Sequence, residues 1–301
     1  MSGEPSSRPP IGLVGVGLMG TAFAHRLRGA GLPVVGFDID PARREALAAI
    51  GGEKATRIAE VARRCVIMLI VVFSADQAEA VLGEIATAVR SEANARRRTV
   101  VLSITCDPER TVALAQRAAA ASLRFIEAPV SGTSDQVLRG DGVGLIGGDA
   151  QTATDAASVL DALFPRRFHI GTYGDGGRAK LAINLILGLH RLALAEGLVF
   201  ASRLGLDPAA FLKVARASAA ESQVMGTKGP KMVSRDFKPE GRVRQTLKDV
   251  HLMLDQAKKL GQQLPLLEIN ADVLQACVDH GEADLDNSIV IEEIRRRSFE
   301  T

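Results

Sequence analysis

A glycine-rich turn between a short apolar run and a helical pattern most constrains the fold of this chain. The run Ile11–Val14 leads into Gly15-Val16-Gly17-Leu18-Met19-Gly20, and a second apolar run, Pro33–Phe37, ends in Asp38. This order of strand, turn, helix, strand and acidic residue is typical of a dinucleotide-binding fold. The first glycine permits a tight turn, the second lets the backbone approach a pyrophosphate, and the third lets the helix pack close to the strand. The motif therefore predicts cofactor contacts from Gly15, Gly17, Leu18, Met19 and Gly20.

Asp38 indicates which nicotinamide cofactor binds. A carboxylate at the end of the second strand accepts hydrogen bonds from the ribose hydroxyls of NAD and repels the 2′-phosphate of NADP. Arg43 and Arg44 follow it, and an arginine in this region can instead accommodate that phosphate. However, Asp40-Pro41 has the pattern of an N-cap and first helical residue, which predicts both arginines on a solvated helix face. The sequence therefore favours NAD over NADP.

Further apolar runs rich in β-branched residues alternate with alanine-rich helical spacers. These runs are Cys65–Phe73, Thr99–Ile104, Leu123–Ile126 and Val143–Ile146. The alternation predicts an α/β fold in which a doubly wound, mainly parallel sheet is covered by helices on both faces. Strand patterns end near residue 171. We predict a disordered tail at residues 1–10, a Rossmann-type domain at residues 11–171, and an all-helical substrate and oligomerisation domain at residues 172–301.

One long helical segment is the spine of the predicted second domain. It runs from Gly174 to Gly205 and is apolar from Leu181 to Leu204 with few charges, a pattern typical of a buried helix. Lys180 falls in its first turn, and Asn184 follows on the same face. A cation at the positive end of a helix is unfavourably placed, which suits a residue that must exchange a proton. By itself, a surface lysine at a helix end is the more common explanation.

The loop Pro129–Ser134 is a candidate for anion binding. Ser131 and Thr133 flank Gly132, so hydroxyl and backbone N–H groups of this loop could turn toward a carboxylate. An ordinary Ser/Gly turn explains the same residues when the loop is considered alone. Its place after a predicted strand of the sheet favours the binding interpretation, because ligands lie at the carboxyl ends of parallel strands.

Composition excludes several other classes of function. The net charge is +2 and aromatic residues make up 4% of the chain, which gives little basis for nucleic-acid binding. The three cysteines and five histidines are scattered, so no metal site is predicted, and the cysteine spacing suits a reducing compartment such as the cytoplasm. His190, Arg191 and Glu196 in the long apolar helix argue against a membrane span.

Taken together, these segments resemble the β-hydroxyacid dehydrogenase family from Ile11 to about Ile294. The matching motifs are Gly15-Val16-Gly17-Leu18-Met19-Gly20, Glu127-Ala128-Pro129-Val130-Ser131-Gly132, Gly174-Asp175-Gly176-Gly177-Arg178-Ala179-Lys180 with Asn184, and Lys248-Asp249. The resemblance implies that Lys180 is the catalytic acid/base, that Asn184 holds the substrate, and that Ser131 and Gly132 bind its carboxylate. It also implies that Lys248 closes over the nicotinamide and substrate, and that Thr105 lies near the nicotinamide ribose.

Three residues depart from the family pattern, all on the implied substrate side. Thr133 replaces the last glycine of the Ser-Gly-Gly loop, Ile183 replaces the first of two asparagines, and Ile104 replaces the serine before Thr105. They leave the hydride chemistry intact and bear on the choice of substrate.

The resemblance implies a reversible, NAD-dependent oxidation of a small 3-hydroxy acid to a semialdehyde or keto acid. The long apolar helix favours a homodimer or homotetramer, because a helical domain built on such a helix often completes its core with a partner subunit. Two alternatives remain: an imine reductase using NADPH, a class that usually carries Asp or Tyr where Lys180 stands, and a catalytically silent dinucleotide-binding module.

Overall fold

The computed structural model describes residues 8–90 and 98–297. The chain divides into two compact units, Met1–Lys180 and Leu181–Thr301. The first alternates strands with helices, and the described part of the second is built from helices, so the predicted fold class is confirmed. The division lies inside the long helix, beyond the predicted boundary at residue 171. Most of the predicted tail, residues 1–7, lies outside the described residues.

The first unit is organised around a sheet that is parallel over most of its width. Its strands are β1 (Ile11–Val14), β2 (Val34–Phe37), β3 (Glu53–Lys54), β4 (Ile67–Ile70), β5 (Thr99–Leu102), β6 (Arg124–Glu127), β7 (Val130–Ser131), β8 (Val143–Gly148) and β9 (Arg166–Gly171). Their order is β3-β2-β1-β4-β5-β6-β8-β7, with β9 paired to β8. Among these strands, β8 pairs antiparallel with β6 and with β7, and the other pairs are parallel. Three of these strands differ from the sequence-based prediction: β3 and β7 are only two residues long, β7 lies within the predicted loop Pro129–Ser134, and β9 is polar.

Helices cover both faces of this sheet. They are α1 (Leu18–Gly29), α2 (Pro41–Ala49), α3 (Ile58–Arg64), α4 (Ala75–Arg90), α5 (Pro108–Ala120), α6 (Ser134–Arg139), α7 (Ala150–Asp155) and α8 (Ala157–Leu163). Side chains of one strand alternate between two cores: Leu69 packs in one, while its neighbours Met68 and Ile70 pack in the other. This burial on both faces explains why the central strands are almost continuously apolar.

The second unit contains most of the long helix and the helices that follow. They are α9 (Asp175–Arg203), α10 (Pro208–Arg216), α11 (Gln223–Thr227), α12 (Gly229–Ser234), α13 (Val243–Lys259), α14 (Pro265–Asp279), a short 3-10 helix (Asn287–Ile289) and α15 (Val290–Arg296). Leu198 of α9, Val250 of α13 and Leu274 of α14 share one core. As its sequence pattern indicates, α10 begins with Pro208 after the capping side chain of Asp207.

One face of α9 is exposed, contrary to the expectation of a buried helix. Ile186 is 52% exposed and Phe200 is 66% exposed, and they lie on the same side of the helix. By length and composition α9 is the one described helix that could cross a membrane, and 33% of its most apolar window is buried inside the structure. Charged and polar residues interrupt that helix, among them the buried Arg191.

The three cysteines, Cys65, Cys106 and Cys277, are free thiols and all are buried. Cys65 and Cys106 belong to the first unit and Cys277 to the second. Among the residues that the structure describes, no group of three histidine, cysteine or acidic side chains is placed to hold a metal ion.

Candidate functional site

The glycine-rich turn connects β1 to α1, and steric limits explain two of its glycines. Gly15 has φ +96°, and a Cβ there would lie 2.2 Å from the carbonyl oxygen of Val71. A Cβ on Gly20 would lie 2.1 Å from the carbonyl oxygen of Gly15, so the close approach of helix to strand requires glycine. Both contacts are far shorter than any real carbon–oxygen packing distance, and any side chain at these positions would displace the backbone.

Gly17 differs, because the protein itself does not require glycine there. A Cβ would meet nothing closer than Arg43 Nη1, at 3.8 Å. Gly17 is the N-cap of α1, no side chain caps this helix, and its first turn holds no acidic residue. The N–H groups of the first turn are therefore available to an anion that approaches over Gly17. This geometry fits the pyrophosphate of a dinucleotide, with Leu18 exposed and Met19 half-buried beside it.

Asp38, at the end of β2, is joined to this turn by a hydrogen bond. Its buried carboxylate accepts the backbone N–H of Val16 at 2.7 Å through Oδ2 and that of Asp40 at 2.9 Å through Oδ1. A carboxylate offers about four acceptor positions, so both oxygens retain capacity for ribose hydroxyls. The structure thus brings Asp38 and the glycine-rich turn together, as the motif predicts.

The two arginines of α2 are closer to Asp38 than predicted. Arg43 Nη1 lies 3.6 Å from Asp38 Oδ2, although the arginine side chain is half-exposed. Arg44 does not lie on a solvated face: its guanidinium covers the Phe37 ring at 5.7 Å and donates to the Asp38 carbonyl oxygen at 2.6 Å. The expectation was wrong for Arg44 because a guanidinium on an aromatic ring gains contact that a solvated one lacks. The adenosine end of the candidate site therefore contains a carboxylate and a cation together.

The predicted substrate loop lies between β6 and α6. Ser131 is the last residue of β7, and Gly132 has φ +146°, a conformation that a residue with a side chain rarely adopts. Thr133 is the N-cap of α6: its hydroxyl accepts the Gln136 N–H at 3.2 Å, and Gln136 Oε1 accepts the Thr133 N–H at 2.9 Å. This capping box gives a structural reason for threonine in place of the family's glycine, since glycine cannot provide that hydroxyl. A substrate-binding role for Thr133 stays a prediction.

Glu127 belongs to one of the matching motifs and has no predicted role of its own. Its buried carboxylate, at the end of β6, accepts three backbone N–H groups: Gly174 at 2.6 Å and Gly176 at 3.1 Å on Oε1, and Gly177 at 3.0 Å on Oε2. Burial raises the pKa of Glu127 to about 7, while the three N–H donors favour the ionised form and oppose that shift. Glu127 therefore fixes the beginning of α9 to the sheet.

The loop that follows β5 also lies against the beginning of α9. This loop includes the half-buried Thr105, and a Cβ on Gly177 would lie 3.7 Å from the carbonyl oxygen of Cys106. Together with Glu127 at the end of β6, this contact places the first turn of α9 at the carboxyl edge of the sheet. In a parallel sheet this edge is where ligands bind.

Lys180 lies in the second turn of α9, one turn later than predicted, because the helix begins at Asp175. It is 8% exposed, so it is not the surface lysine that its type alone would suggest. The carboxylate of Glu127 occupies the N–H groups at the helix end. The carboxylate thus partly neutralises the positive N-terminal end of α9. The unfavourable effect of the helix dipole on the Lys180 ammonium is therefore smaller than predicted.

In the second unit, Asp249 joins two predicted site residues. Asn184 Nδ2 donates to Asp249 Oδ2 at 3.2 Å, and Lys248 Nζ lies 3.0 Å from Asp249 Oδ1. Asp249 is buried, so Lys248-Asp249 is not merely a solvated charged pair. The hydrogen bond fixes the orientation of the Asn184 amide. In the sequence, the feature that marks Asp249 as a site residue is its place beside Lys248 in a matching motif.

Family models match both parts of the chain. Residues 10–171, more than half of it, match the model described as the NAD binding domain of 6-phosphogluconate dehydrogenase. Residues 174–294 match the model described as the NAD-binding of NADP-dependent 3-hydroxyisobutyrate dehydrogenase. The second description names NADP, whereas Asp38 favours NAD.

Relatives and solved structures resemble the chain over nearly its whole length. L-threonate dehydrogenase of Cupriavidus necator is 31% identical and covers 93% of this chain and 94% of its own. 2-Hydroxy-3-oxopropionate reductase of Escherichia coli is 28% identical, with 94% of this chain and 96% of its own covered. The crystal structure of 3-hydroxyisobutyrate dehydrogenase from Salmonella typhimurium has a TM-score of 0.85 at 28% identity and covers 94% of this chain and 98% of its own.

Proposed function

Because the chain belongs to the β-hydroxyacid dehydrogenase family and is an oxidoreductase acting on hydroxyl groups, we propose that it oxidises a small 3-hydroxy acid reversibly, with NAD as cofactor. The product is a semialdehyde or a keto acid. The observation that supports this proposal most is a buried lysine, Lys180, one helical turn before Asn184. A lysine held out of water near the carboxyl edge of a cofactor-binding sheet is suited to proton exchange with a bound hydroxyl.

In this proposal each residue has a separate task. NAD, when bound, supplies the hydride acceptor. Lys180 Nζ removes the hydroxyl proton of the substrate as its carbinol carbon is oxidised, and returns that proton to the oxygen in the reverse direction. Asn184, oriented by Asp249, holds the substrate hydroxyl or carboxylate. The loop residues Ser131, Gly132 and Thr133 bind the carboxylate.

A substrate panel tests this function. Reduction of NAD and of NADP at 340 nm is followed with small 3-hydroxy acids, including L-threonate, and with simple amines. We expect turnover with a hydroxy acid and NAD. Turnover of amines only, with NADP, would assign the chain to imine reduction instead. A protein that binds NAD but turns over nothing in the panel would be a dinucleotide-binding module.

We expect Asp38→Asn to lower the preference for NAD. Losing a charge-assisted hydrogen bond to the ribose costs about 1.5–3 kcal/mol, so the ratio of kcat/KM for NAD to that for NADP should fall about 10-fold or more. Arg43, which lies 3.6 Å from Asp38 and 3.6 Å from Asp40, would lose one of these two carboxylate partners and attract the 2′-phosphate more strongly. Steady-state kinetics with both cofactors give the ratio. Asp40→Asn is the matched control, because it removes a neighbouring charge and keeps a good N-cap; an unchanged ratio in Asp38→Asn contradicts the proposed role.

We expect Asp249→Asn to weaken the use of the hydroxy acid and not the binding of NAD. The neutral side chain loses the ion pair with Lys248, and its single oxygen cannot accept from Lys248 and Asn184 at once, so kcat/KM for the acid should fall about 10-fold. The Kd for NAD, measured by fluorescence titration, should stay within about threefold. Asp255→Asn, on the exposed side of α13, is the control. Equal losses for acid and NAD would indicate general damage to the fold.

We also propose that the protein forms a homodimer or homotetramer in a reducing compartment such as the cytoplasm. The exposed apolar face of α9, with Ile186 and Phe200, supports self-association, because such faces are usually covered in solution. The free, buried cysteines suit a reducing compartment. Light scattering of the purified protein gives its oligomeric state.

A further inference from the structure

Arg191 is a buried cation in the middle of the apolar helix α9. It is 6% exposed, and its Nε and Nη2 atoms have no hydrogen-bond partner among the residues that the structure describes. Burial lowers the pKa of Arg191 to about 10, with the charge of Asp286 acting in the opposite direction. The side chain is therefore still cationic at neutral pH, in surroundings that disfavour the charge.

Asn270 of α14 is a second buried polar group at the same place. It is fully buried, and neither Oδ1 nor Nδ2 has a partner in the described part of the chain. A Cβ on Gly188 would lie 3.2 Å from Asn270 Nδ2 and 3.8 Å from Arg191 Nη2. Both nitrogen atoms thus lie beside the helix backbone at Gly188, where a side chain would crowd the Asn270 amide. Turning the Asn270 amide would exchange its donor for an acceptor but would supply no negative charge.

The nearby carboxylate of Asp286 is already fully used. It accepts hydrogen bonds from Lys228 Nζ on both oxygens, each at 2.9 Å. It also accepts three backbone N–H groups and one hydroxyl, from Glu240, Gly241 and Ser288. Lys228 and Asp286 therefore balance one another. The charge of Arg191 has no such partner in the described part of the helical unit, and an uncompensated buried charge is strongly unfavourable.

We propose that the Arg191 guanidinium and the Asn270 amide, which lie together beside Gly188, form a binding site for one small monovalent anion in the helical unit. The guanidinium and amide N–H groups are donors that border one place, and an anion accepts from them while neutralising the cation. Chloride and a carboxylate as small as formate share this chemistry. A water molecule would accept the same hydrogen bonds but leave the charge uncompensated. The site is separate from the residues proposed for catalysis and stabilises the unit in which it lies.

Anion-dependent unfolding of the full-length protein tests the site. Thermal and urea unfolding are measured at constant ionic strength while sodium gluconate, whose anion is too large, is replaced by sodium chloride or sodium formate. At a concentration ten times its Kd, a bound anion lowers the unfolding equilibrium constant about 11-fold. Arg191→Met should abolish this response, whether the variant itself is more or less stable. Arg203→Met, at the exposed end of the same helix, should retain it.

A second variant tests the site without removing the cation. Gly188→Ala puts a methyl carbon 3.2 Å from Asn270 Nδ2 and 3.8 Å from Arg191 Nη2, so it crowds both donors while favouring the helix, and the variant should fold and lose the response. A response to formate but not chloride would identify a carboxylate site, and the converse a halide site. Equal stability in gluconate, chloride and formate overturns the proposal. So does a response that persists in Arg191→Met or in Gly188→Ala.

Discussion

Lys180→Met should lower turnover of the hydroxy acid about 10³-fold or more and leave the affinity for NAD within about threefold. Methionine matches the length of lysine and tolerates the burial of this position, but it cannot exchange a proton. If Lys180 removes the hydroxyl proton, the barrier rises in both directions of the reaction. Single-turnover and steady-state rates, each measured from both directions, give the size of the loss.

Lys180→Arg is the informative control for this variant. It keeps a positive charge near the same place, but arginine does not give up its proton near neutral pH. If the charge alone were needed, Lys180→Arg would retain much of the activity that Lys180→Met loses. Turnover within tenfold of the wild-type protein in Lys180→Met, with NAD bound normally, would exclude Lys180 as the acid/base.

Glu127→Gln should lower the free energy of unfolding by about 2–3 kcal/mol. Both oxygens of the Glu127 carboxyl group accept N–H groups at the start of α9, and each oxygen can still accept when the group is protonated. Glutamine offers only one oxygen, and its NH2 group would face a backbone N–H with no acceptor between them. Urea unfolding gives the difference. Asp175→Asn, a half-exposed carboxylate at the same helix end, is the control and should cost less than about 1 kcal/mol.

The difference in unfolding free energy between the wild type and Glu127→Gln should also depend on pH. The pKa of Glu127 is raised in the folded protein to about 7, above its usual value of 4.5. Between these values the native state binds the extra proton, so its stability falls as pH rises. The glutamine of the variant cannot titrate. The difference in unfolding free energy between wild type and variant should therefore be largest below pH 4.5 and shrink as pH approaches 7. A difference that grows over this range would contradict the raised pKa.

The sequence was sufficient for features that depend on local patterns. The turn at Gly15–Gly20, the strand before Asp38 and the C-terminal end of α9 all follow from residue order and periodicity, because short-range sterics and capping determine them. The family resemblance and the α/β architecture follow from the same patterns. The exact start of α9 did not, because Glu127, far away in sequence, decides which N–H groups are satisfied.

The remaining differences arise from tertiary partners that no local pattern shows. Arg44 stacks on Phe37, and Asp249 of α13 accepts a hydrogen bond from Asn184 of α9. Thr133 stands where the family has glycine, and its capping role becomes visible only with Gln136 in place. The exposed face of α9 was also unexpected, because an apolar helix does not reveal which of its sides a single chain covers.

Each of the two units contains a buried cysteine whose labelling can report the local opening of that unit. Burial raises the pKa of Cys65 to about 12, and burial does the same for Cys277. Neither sulfur is reactive in the closed protein, since only an exposed thiolate attacks a labelling reagent. Any labelling of Cys277 therefore counts openings of the helical unit, and labelling of Cys65 counts openings of the sheet unit. Without any engineered probe, one mass spectrum resolved by peptide separates the local unfolding rates of the two halves of the chain.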